Sequence, residues 1–303
     1  MNINRVAIAG MGALGMLYGT FLIDAGEKNI TYVMDEGRFK KYSGMEFYKN
    51  GRPYALPMVS AEQAQPADLV IVAVKYSGLE AVLDVIKNCV AEHTIILSVM
   101  NGVTSEEIIA ERYGKEHLVY TVAQGMDAMK FGNSLEFTVM GELRIGCKES
   151  CQEKNLQDLK EYFDRVKMPY TADPDIMRRL WSKFMLNVGI NQACMVHETT
   201  YGGCLEKGAA NRTLFAAMRE AAAVANAEGI DLGENDINEY IKILRTLSPE
   251  GVPSMRQDAI RKVPSEVDMF AGTVIALGKK HGIYVPTNEF IYERVKEMES
   301  SWR

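Results

Sequence analysis

Arg5–Gly15 reads RVAIAGMGALG, and the reading of this stretch decides the fold. Arg5–Ala9 is expected as a short buried strand. Gly10-Met11-Gly12-Ala13-Leu14-Gly15 follows at once, and the apolar run to Leu22 reads as a helix. This is GxGxxG between a strand and a helix, the setting in which the pattern points to a dinucleotide. Gly10 allows the tight turn, Gly12 leaves room for a pyrophosphate, and Gly15 lets the helix pack close to the strand. The free N–H groups at the helix start would face the phosphates. The plainer reading is a βα turn whose glycines serve packing alone. Val6–Ile23 carries no charge and follows Arg5, so it mimics a signal peptide or a short membrane span. Gly10, Gly12, Gly15 and Gly19 interrupt that run, and strand, turn and helix explain it better. No other segment of the sequence reads as a membrane span.

Downstream the same alternation repeats. Ile30–Met34 (ITYVM) is the expected second strand, ended by Asp35. An acid at this place accepts from the ribose 2′-OH of NAD, although an Asp here also simply opens a turn. Arg38 could instead meet the 2′-phosphate of NADP. Met45–Tyr48 and Pro53–Leu56 around Asn50-Gly51 read as a hairpin, because Asn-Gly favours a type I′ turn. Leu69–Val74 (LVIVAV) is a buried parallel strand ending at Lys75. The carboxyl ends of such strands open on the ligand crevice, so Lys75 is a candidate to face the coenzyme. Ser77–Asn88 reads as a helix, Thr94–Val99 as a strand ending in Asn101-Gly102, and Thr104–Tyr113 as a helix. Asn101 is a turn signal that could also reach the nicotinamide side. Leu118–Ala123, Leu135–Met140 and Glu142–Gly146 are expected as further strands that complete the domain, with Asn155–Val166 as the last helix.

After about Thr171 no further strand is expected. Ile176–Asn191, Ala209–Gly229, Asn235–Ser248, Glu266–His281 and Asn288–Ser300 fit helices. The expected fold is therefore α/β, a Rossmann-type doubly wound sheet over residues 1–171 and an all-α domain over 172–303. Within the first of these later helices, Leu180–Asn191 reads LWSKFMLNVGIN. Lys183, Asn187 and Asn191 at i, i+4 and i+8 share one helix face among apolar neighbours. A solvent-facing stripe is the plain reading. Asn is a poor helix former but carries both a donor and an acceptor, which suits holding a ligand.

A formal net charge of −6 gives no broad pull toward nucleic acid or anionic membrane. Five scattered cysteines without a CxxC indicate neither a zinc site nor a disulfide framework, so no metal is expected. Reduced thiols in a cytosol are the simplest reading.

Taken in order, these segments resemble the ketopantoate reductase family over nearly the whole chain. VAVK (Lys75) and NG (Asn101) follow the glycine turn. LWSKFMLNVGIN is similar to the family's LWxKxxxNxxxN helix. PSMRQD (Pro253–Asp258), SEVD (Ser265–Asp268) and HGIYVPTN (His281–Asn288) are similar to its later segments. The resemblance implies reduction of 2-dehydropantoate to pantoate with NADPH, in pantothenate and coenzyme A synthesis. It implies Lys183 as proton donor, Glu266 steadying it, and Asn187, Asn191 and Ser254 on the substrate. Gly10–Gly15, Lys75 and Asn101 would bind the dinucleotide. It leaves room for a homodimer. Two positions depart. Asp35 stands where the family often has Arg, which keeps NAD open beside NADP. The stretch after the second helix asparagine, VHETTYGG, lacks a further Asn, for which Tyr201 or Thr199 could substitute.

The chemistry is coherent with the residues. Hydride delivery to a C2 carbonyl builds charge on oxygen, which an ammonium stabilises and then protonates. Taken singly, Glu266 is an ordinary helix-start acid and Ser254 a turn residue or N-cap. The β-hydroxyacid dehydrogenases also carry a Lys-xxx-Asn helix, but behind a glycine-rich run where this chain has Arg178-Arg179-Leu180-Trp181-Ser182. The same residues would also suit a reductase of another branched 2-keto acid, or a dinucleotide-binding protein without turnover.

Overall fold

The computed structural model describes residues 2–302. The chain divides into two compact units, Met1–Ile176 and Met177–Arg303. Unit 1 runs β1 (Val6–Ala9), α1 (Ala13–Asp24), β2 (Ile30–Met34), α2 (Glu36–Tyr42), β3 (Phe47–Lys49), β4 (Arg52–Tyr54), β5 (Met58–Ser60) and β6 (Leu69–Val72). It continues through α3 (Leu79–Val85), β7 (Ile95–Ser98), α4 (Ser105–Tyr113), β8 (Tyr120–Gln124), β9 (Met129–Phe131), β10 (Ser134–Glu136), β11 (Glu142–Gly146), α5 (Glu153–Val166) and β12 (Tyr170–Ala172).

Five strands form a parallel sheet in the order β5-β2-β1-β6-β7. The period-2 rule of strands divides its two faces. Val6 and Ile8 join Tyr18 and Leu22 of α1 and Leu159, Phe163 and Val166 of α5 in one core. Ala7 and Ala9 join Leu79, Val82 and Leu83 of α3 and Ile109 of α4 in the other. The sheet is thus covered on both faces, the doubly wound arrangement expected from the alternation of segments. All four residues of β1, β6 and β7 are buried, which is why those strands read as unbroken apolar runs.

The strands after β7 lie outside the five-stranded sheet, and two expectations need correction. β8, β11 and β12 form a three-stranded sheet, joined to β7 by a single parallel bridge at Ile96 and Leu118. The strand expected at Leu135–Met140 is only Ser134–Glu136, and it pairs with β3 and β9 in a separate small sheet. Pairing there is limited because Asp127 captures the Thr138 and Val139 N–H groups. A strand that was not expected, Tyr170–Ala172, straddles the boundary at Thr171 and runs parallel to β11. The hairpin holds: β3 and β4 are antiparallel, and Asn50 (φ 48) and Gly51 (φ 72) have the positive φ values of a type I′ turn.

Unit 2 consists of α6 (Ile176–Val196, from the end of unit 1), α7 (Tyr201–Leu205), α8 (Ala209–Ala227), α9 (Glu234–Leu244), α10 (Ser254–Arg261), α11 (Thr273–His281) and α12 (Pro286–Ser300). Among its described residues there is no strand. Helices α7 and α10 were not foreseen. The helix expected from Glu266 instead opens with a wide π-helical turn at Asp268–Gly272. On α6, a Cβ at Gly189 would lie 2.4 Å from Met218 Cγ of α8, so the glycine marks the close crossing of these two helices. No helix among the described residues is long and apolar enough to cross a membrane.

Candidate active site

In unit 1 the glycine turn has the geometry its chemistry requires. Gly10 has φ +117, and a Cβ there would lie 2.3 Å from the Ala73 carbonyl oxygen at the end of β6. A Cβ on Gly15 would lie 2.0 Å from the Gly10 carbonyl oxygen. Both positions are closed by the protein's own backbone. Gly12 differs: a Cβ there meets nothing nearer than 3.8 Å, and its φ of −75 suits any residue. The space above Gly12 is therefore not filled by protein, and Gly12 is the N-cap of α1 without a side-chain cap. The N–H groups that start α1 face that space.

A cavity of about 290 Å³ lies there, lined by Gly10, Met11, Gly12, Arg38, Tyr42 and Lys75 among others. It occupies the carboxyl ends of β1, β2 and β6, where a parallel sheet opens on its ligand. Met34, Tyr42 and Ser77 also line it. They were not singled out from sequence, although the strand-end rule covers Met34. Asn101 is half-buried, three residues past β7, and is not part of this lining. Nor is Asp35. Its Oδ1 accepts from the Arg38 N–H at 2.9 Å, making it the N-cap of α2. Its Oδ2 accepts from Arg38 Nη1 at 3.1 Å. The two residues that point to different coenzymes are hydrogen-bonded to each other.

In unit 2, α6 brings Lys183, Asn187 and Asn191 onto one face. Asn191 is 5% exposed, and both ends of its amide have a partner. Its Nδ2 donates to Asn187 Oδ1 at 3.3 Å. Its Oδ1 accepts from Ser254 Oγ at 3.0 Å and from the Met255 N–H at 3.3 Å. Pro253 is the N-cap of α10, and Ser254 and Met255 are its first two residues. The Met255 N–H is free for Asn191 because the first N–H groups of a helix have no intrahelical partner, and Ser254 adds its hydroxyl. Ser254 is thus the first helical residue, not the cap, and its segment is held from behind. Tyr201 N–H and Gly202 N–H of α7 donate to Gly251 O and Pro249 O at 2.9 and 2.8 Å. Tyr201 therefore sits where the loop before α10 is anchored, and the Thr199 N–H donates back to Cys194 O of α6 at 3.0 Å.

Lys183 is half-buried. Desolvation pulls its pKa from 10.5 down to about 8, with the Glu266 carboxylate opposing that fall. Burial disfavours the ammonium and a nearby anion favours it. The result is a lysine that is mostly protonated at neutral pH yet able to release its proton. Glu266, on the turn just before Asp268–Gly272, is half-buried as well. Its backbone oxygen accepts from the Met269 and Phe270 N–H groups, both at 3.0 Å, which fixes the turn that carries the carboxylate.

A glycine-turn dinucleotide unit followed by a helical unit with a low-pKa lysine is the plan of an oxidoreductase. Comparison with known proteins gives the particular family. The sequence pattern described as "Ketopantoate reductase PanE/ApbA" matches residues 6–150, and that of its C-terminal part matches 175–299. The chain belongs to the ketopantoate reductase family. Among curated relatives, the 2-dehydropantoate 2-reductase of Vibrio cholerae is 24% identical over 98% of this chain and 99% of its own. That of Aquifex aeolicus is 26% identical over 97% of each. Among solved structures, a D-mandelate dehydrogenase in complex with NADH superposes with a TM-score of 0.87 at 23% identity, covering 99% of this chain and 100% of that one. This last likeness establishes the fold.

Proposed function

We propose that this oxidoreductase reduces 2-dehydropantoate to pantoate by hydride transfer from NADPH, with NADH as a second coenzyme. The observation that carries the reading is Lys183, at a pKa of about 8 beside Glu266. It lies two turns from the Asn191–Ser254 hydrogen bond on the same helix. In this reading the dinucleotide lies over Gly10–Gly15, its pyrophosphate above Gly12, with Lys75 and Asn101 toward the nicotinamide end. Asn187, Asn191 and Ser254 hold the carboxylate and hydroxyl of the keto acid. Lys183 stabilises the charge that develops on the C2 oxygen and then donates its proton, and Glu266 keeps the ammonium charged and oriented. Residues 1–171 and 172–303 are taken as the coenzyme and substrate domains. The setting is the cytoplasm, in pantothenate synthesis, with a homodimer as the assembly.

A second reading, reduction of another branched or aromatic 2-keto acid with NADH, is favoured by Asp35 at the end of β2. The mandelate dehydrogenase bound to NADH is a neighbour in fold. One experiment separates the two: loss of NADPH and NADH absorbance with ketopantoate and with a panel of 2-keto acids, the keto acid of mandelate included. Preference for ketopantoate in kcat/KM supports the first reading. Turnover of the aromatic acid alone supports the second, and no turnover of any supports a binding protein.

A further inference from the structure

Unit 2 contains a buried polar chain that the proposed chemistry does not use. Gln192 follows Asn191 on α6 but faces the other way, because nine residues from Lys183 is two and a half turns. It is 0% exposed, as is Asn288 of α12. Gln192 Nε2 donates to Val188 O at 2.8 Å and to Asn288 Oδ1 at 3.3 Å. Asn288 Nδ2 donates to Glu220 Oε2 of α8 at 2.7 Å. The same carboxylate accepts from the Thr287 and Asn288 N–H groups at 2.8 and 2.9 Å, where negative charge suits the start of α12. The VPTN end of the HGIYVPTN segment thus serves this chain. A satisfied buried network is rigid, and each member is costly to leave unpaired.

The other end of the chain lies in the turn after Glu266. There the Gly272 N–H reaches back five residues to Val267 O at 3.0 Å, and the Ala271 N–H donates to Gln192 Oε1 at 3.0 Å. A side chain of α6 has entered the ladder of the π turn. Phe270, one residue earlier, packs its ring 6.3 Å from that of Phe184, the neighbour of Lys183. Residues 266–271 therefore cross α6 from the Lys183 face to the Gln192 face, and Gln192 clamps the far end.

We infer that Gln192 is a positioning residue: by receiving the Ala271 N–H it docks the turn that carries Glu266 onto α6, and so fixes that carboxylate beside Lys183. This rests on the reading of Lys183 and Glu266 as the proton-transfer pair. Asn288, held by Glu220, keeps the Gln192 amide in the orientation that presents its oxygen to Ala271.

A double-mutant cycle on kcat tests it. Gln192→Met keeps the side-chain length and removes both ends of the amide. Misplacing Glu266 should lower kcat about tenfold, while the NADPH Kd by fluorescence titration stays within about twofold. In a Glu266→Gln background the same substitution should change kcat by less than about twofold, because its effect passes through that carboxylate. Gln192→Glu should recover most of the activity. Burial raises a carboxyl pKa, so this side chain enters neutral, with one oxygen for Ala271 and an O–H for Asn288. Equal losses in both backgrounds, or no rescue by Glu, would make Gln192 a structural brace only and overturn the inference. Should Gln192→Met fail to fold, Asn288→Ala carries the same cycle from α12, with a loss of about threefold expected and the same non-additivity required. Lys183→Ala run alongside distinguishes the two claims. If it keeps turnover, the pair itself is wrong and the inference falls with it. If it loses turnover while Gln192→Met keeps full kcat, only the positioning claim falls.

Discussion

Lys183 and Glu106 show how burial sets chemistry one residue at a time. Burial pulls the Lys183 pKa down to about 8, outweighing the attraction of Glu266. In its proposed role as proton donor it acts in its charged form, so kcat for reduction should be level below that pKa and fall above it. Glu266→Gln removes the group that raises the lysine pKa and should move this alkaline limb to lower pH. Lys183→Ala should lose about 10²–10⁴ in kcat with coenzyme affinity near normal. A profile with no alkaline fall, or a mutant keeping more than about a third of kcat, would remove Lys183 from the chemistry. Glu106 is 2% exposed in the first turn of α4. Its Oε2 accepts from Ser105 Oγ at 2.8 Å, and Ser105 Oγ is also 2.8 Å from Ser98 Oγ. Burial raises its pKa from 4.5 to about 7, with the Ser105 hydrogen bond opposing. The folded-state pKa lies above the unfolded one, so its stabilising contribution is complete below the unfolded value and is lost as pH rises through about 7. Glu106→Gln should therefore gain on wild type by up to about 3 kcal/mol between about pH 5 and pH 8 in urea unfolding. A constant difference across that range would show that Glu106 is not buried in its neutral form. The lysine was legible in sequence because its asparagines repeat at four-residue spacing. Glu106 was not, since an acid in a first helical turn is also the ordinary partner of the helix dipole.

At the scale of elements, the turn from β2 to α2 is where the proposed choice of coenzyme can be tested. Asp35 is held as the α2 N-cap, an interaction worth about 1 kcal/mol. Its ion pair with Arg38 is half exposed, with side chains 48% and 61% accessible, and such pairs contribute roughly 0–1 kcal/mol. Arg38 can leave that pair at small cost to meet a 2′-phosphate, and a 2′-OH can take its place on Asp35. Asp35→Ser keeps a capping oxygen and removes the charge, so it should raise kcat/KM for NADPH relative to NADH. Arg38→Ala should lower the same ratio. If neither moves it by more than about twofold, roughly 0.4 kcal/mol, this turn does not touch the 2′ position. The elements that sequence reading found are those with a strong period or a strict turn: the buried runs of β1, β6 and β7, the Asn50-Gly51 hairpin, and the long helices of unit 2. Those it missed are short. β5, β9 and β12 have three residues each, too few to display a period of two, and their pairing is decided by distant partners. The eight-residue α10 starts at Ser254 after a proline cap, and only its place in the PSMRQD segment marked it. The π turn after Glu266 was hidden because one of its N–H groups, that of Ala271, is taken by a partner seventy-nine residues earlier, Gln192.

Over the whole chain, the family became legible from the order of its segments, since no single one of them is specific and they are spread across both units. That spread makes a separable prediction. The glycine turn and its cavity belong to unit 1, while Lys183 and its partners belong to unit 2. A coenzyme that binds only the folded protein stabilises it by RT ln(1 + [L]/Kd), about 2.7 kcal/mol at a concentration of 100 Kd. For a unit of this size, that corresponds to a melting-temperature rise of about 5–10 °C. Gly12→Val places its side chain where the nearest protein atom to Cβ is 3.8 Å away, at a φ of −75 that valine adopts. The mutant should fold with a loss of no more than about 1 kcal/mol from a poorer N-cap. Its branched side chain should fill the space meant for the pyrophosphate. Scanning calorimetry of three proteins with and without NADPH should then divide them. Wild type and Lys183→Ala should gain the same rise, Gly12→Val should gain none, and both mutants should lack turnover. An equal rise in Gly12→Val would place the coenzyme elsewhere than over the glycine turn. A missing rise in Lys183→Ala would mean that Lys183 holds the coenzyme, and its loss of turnover would then say nothing about proton transfer.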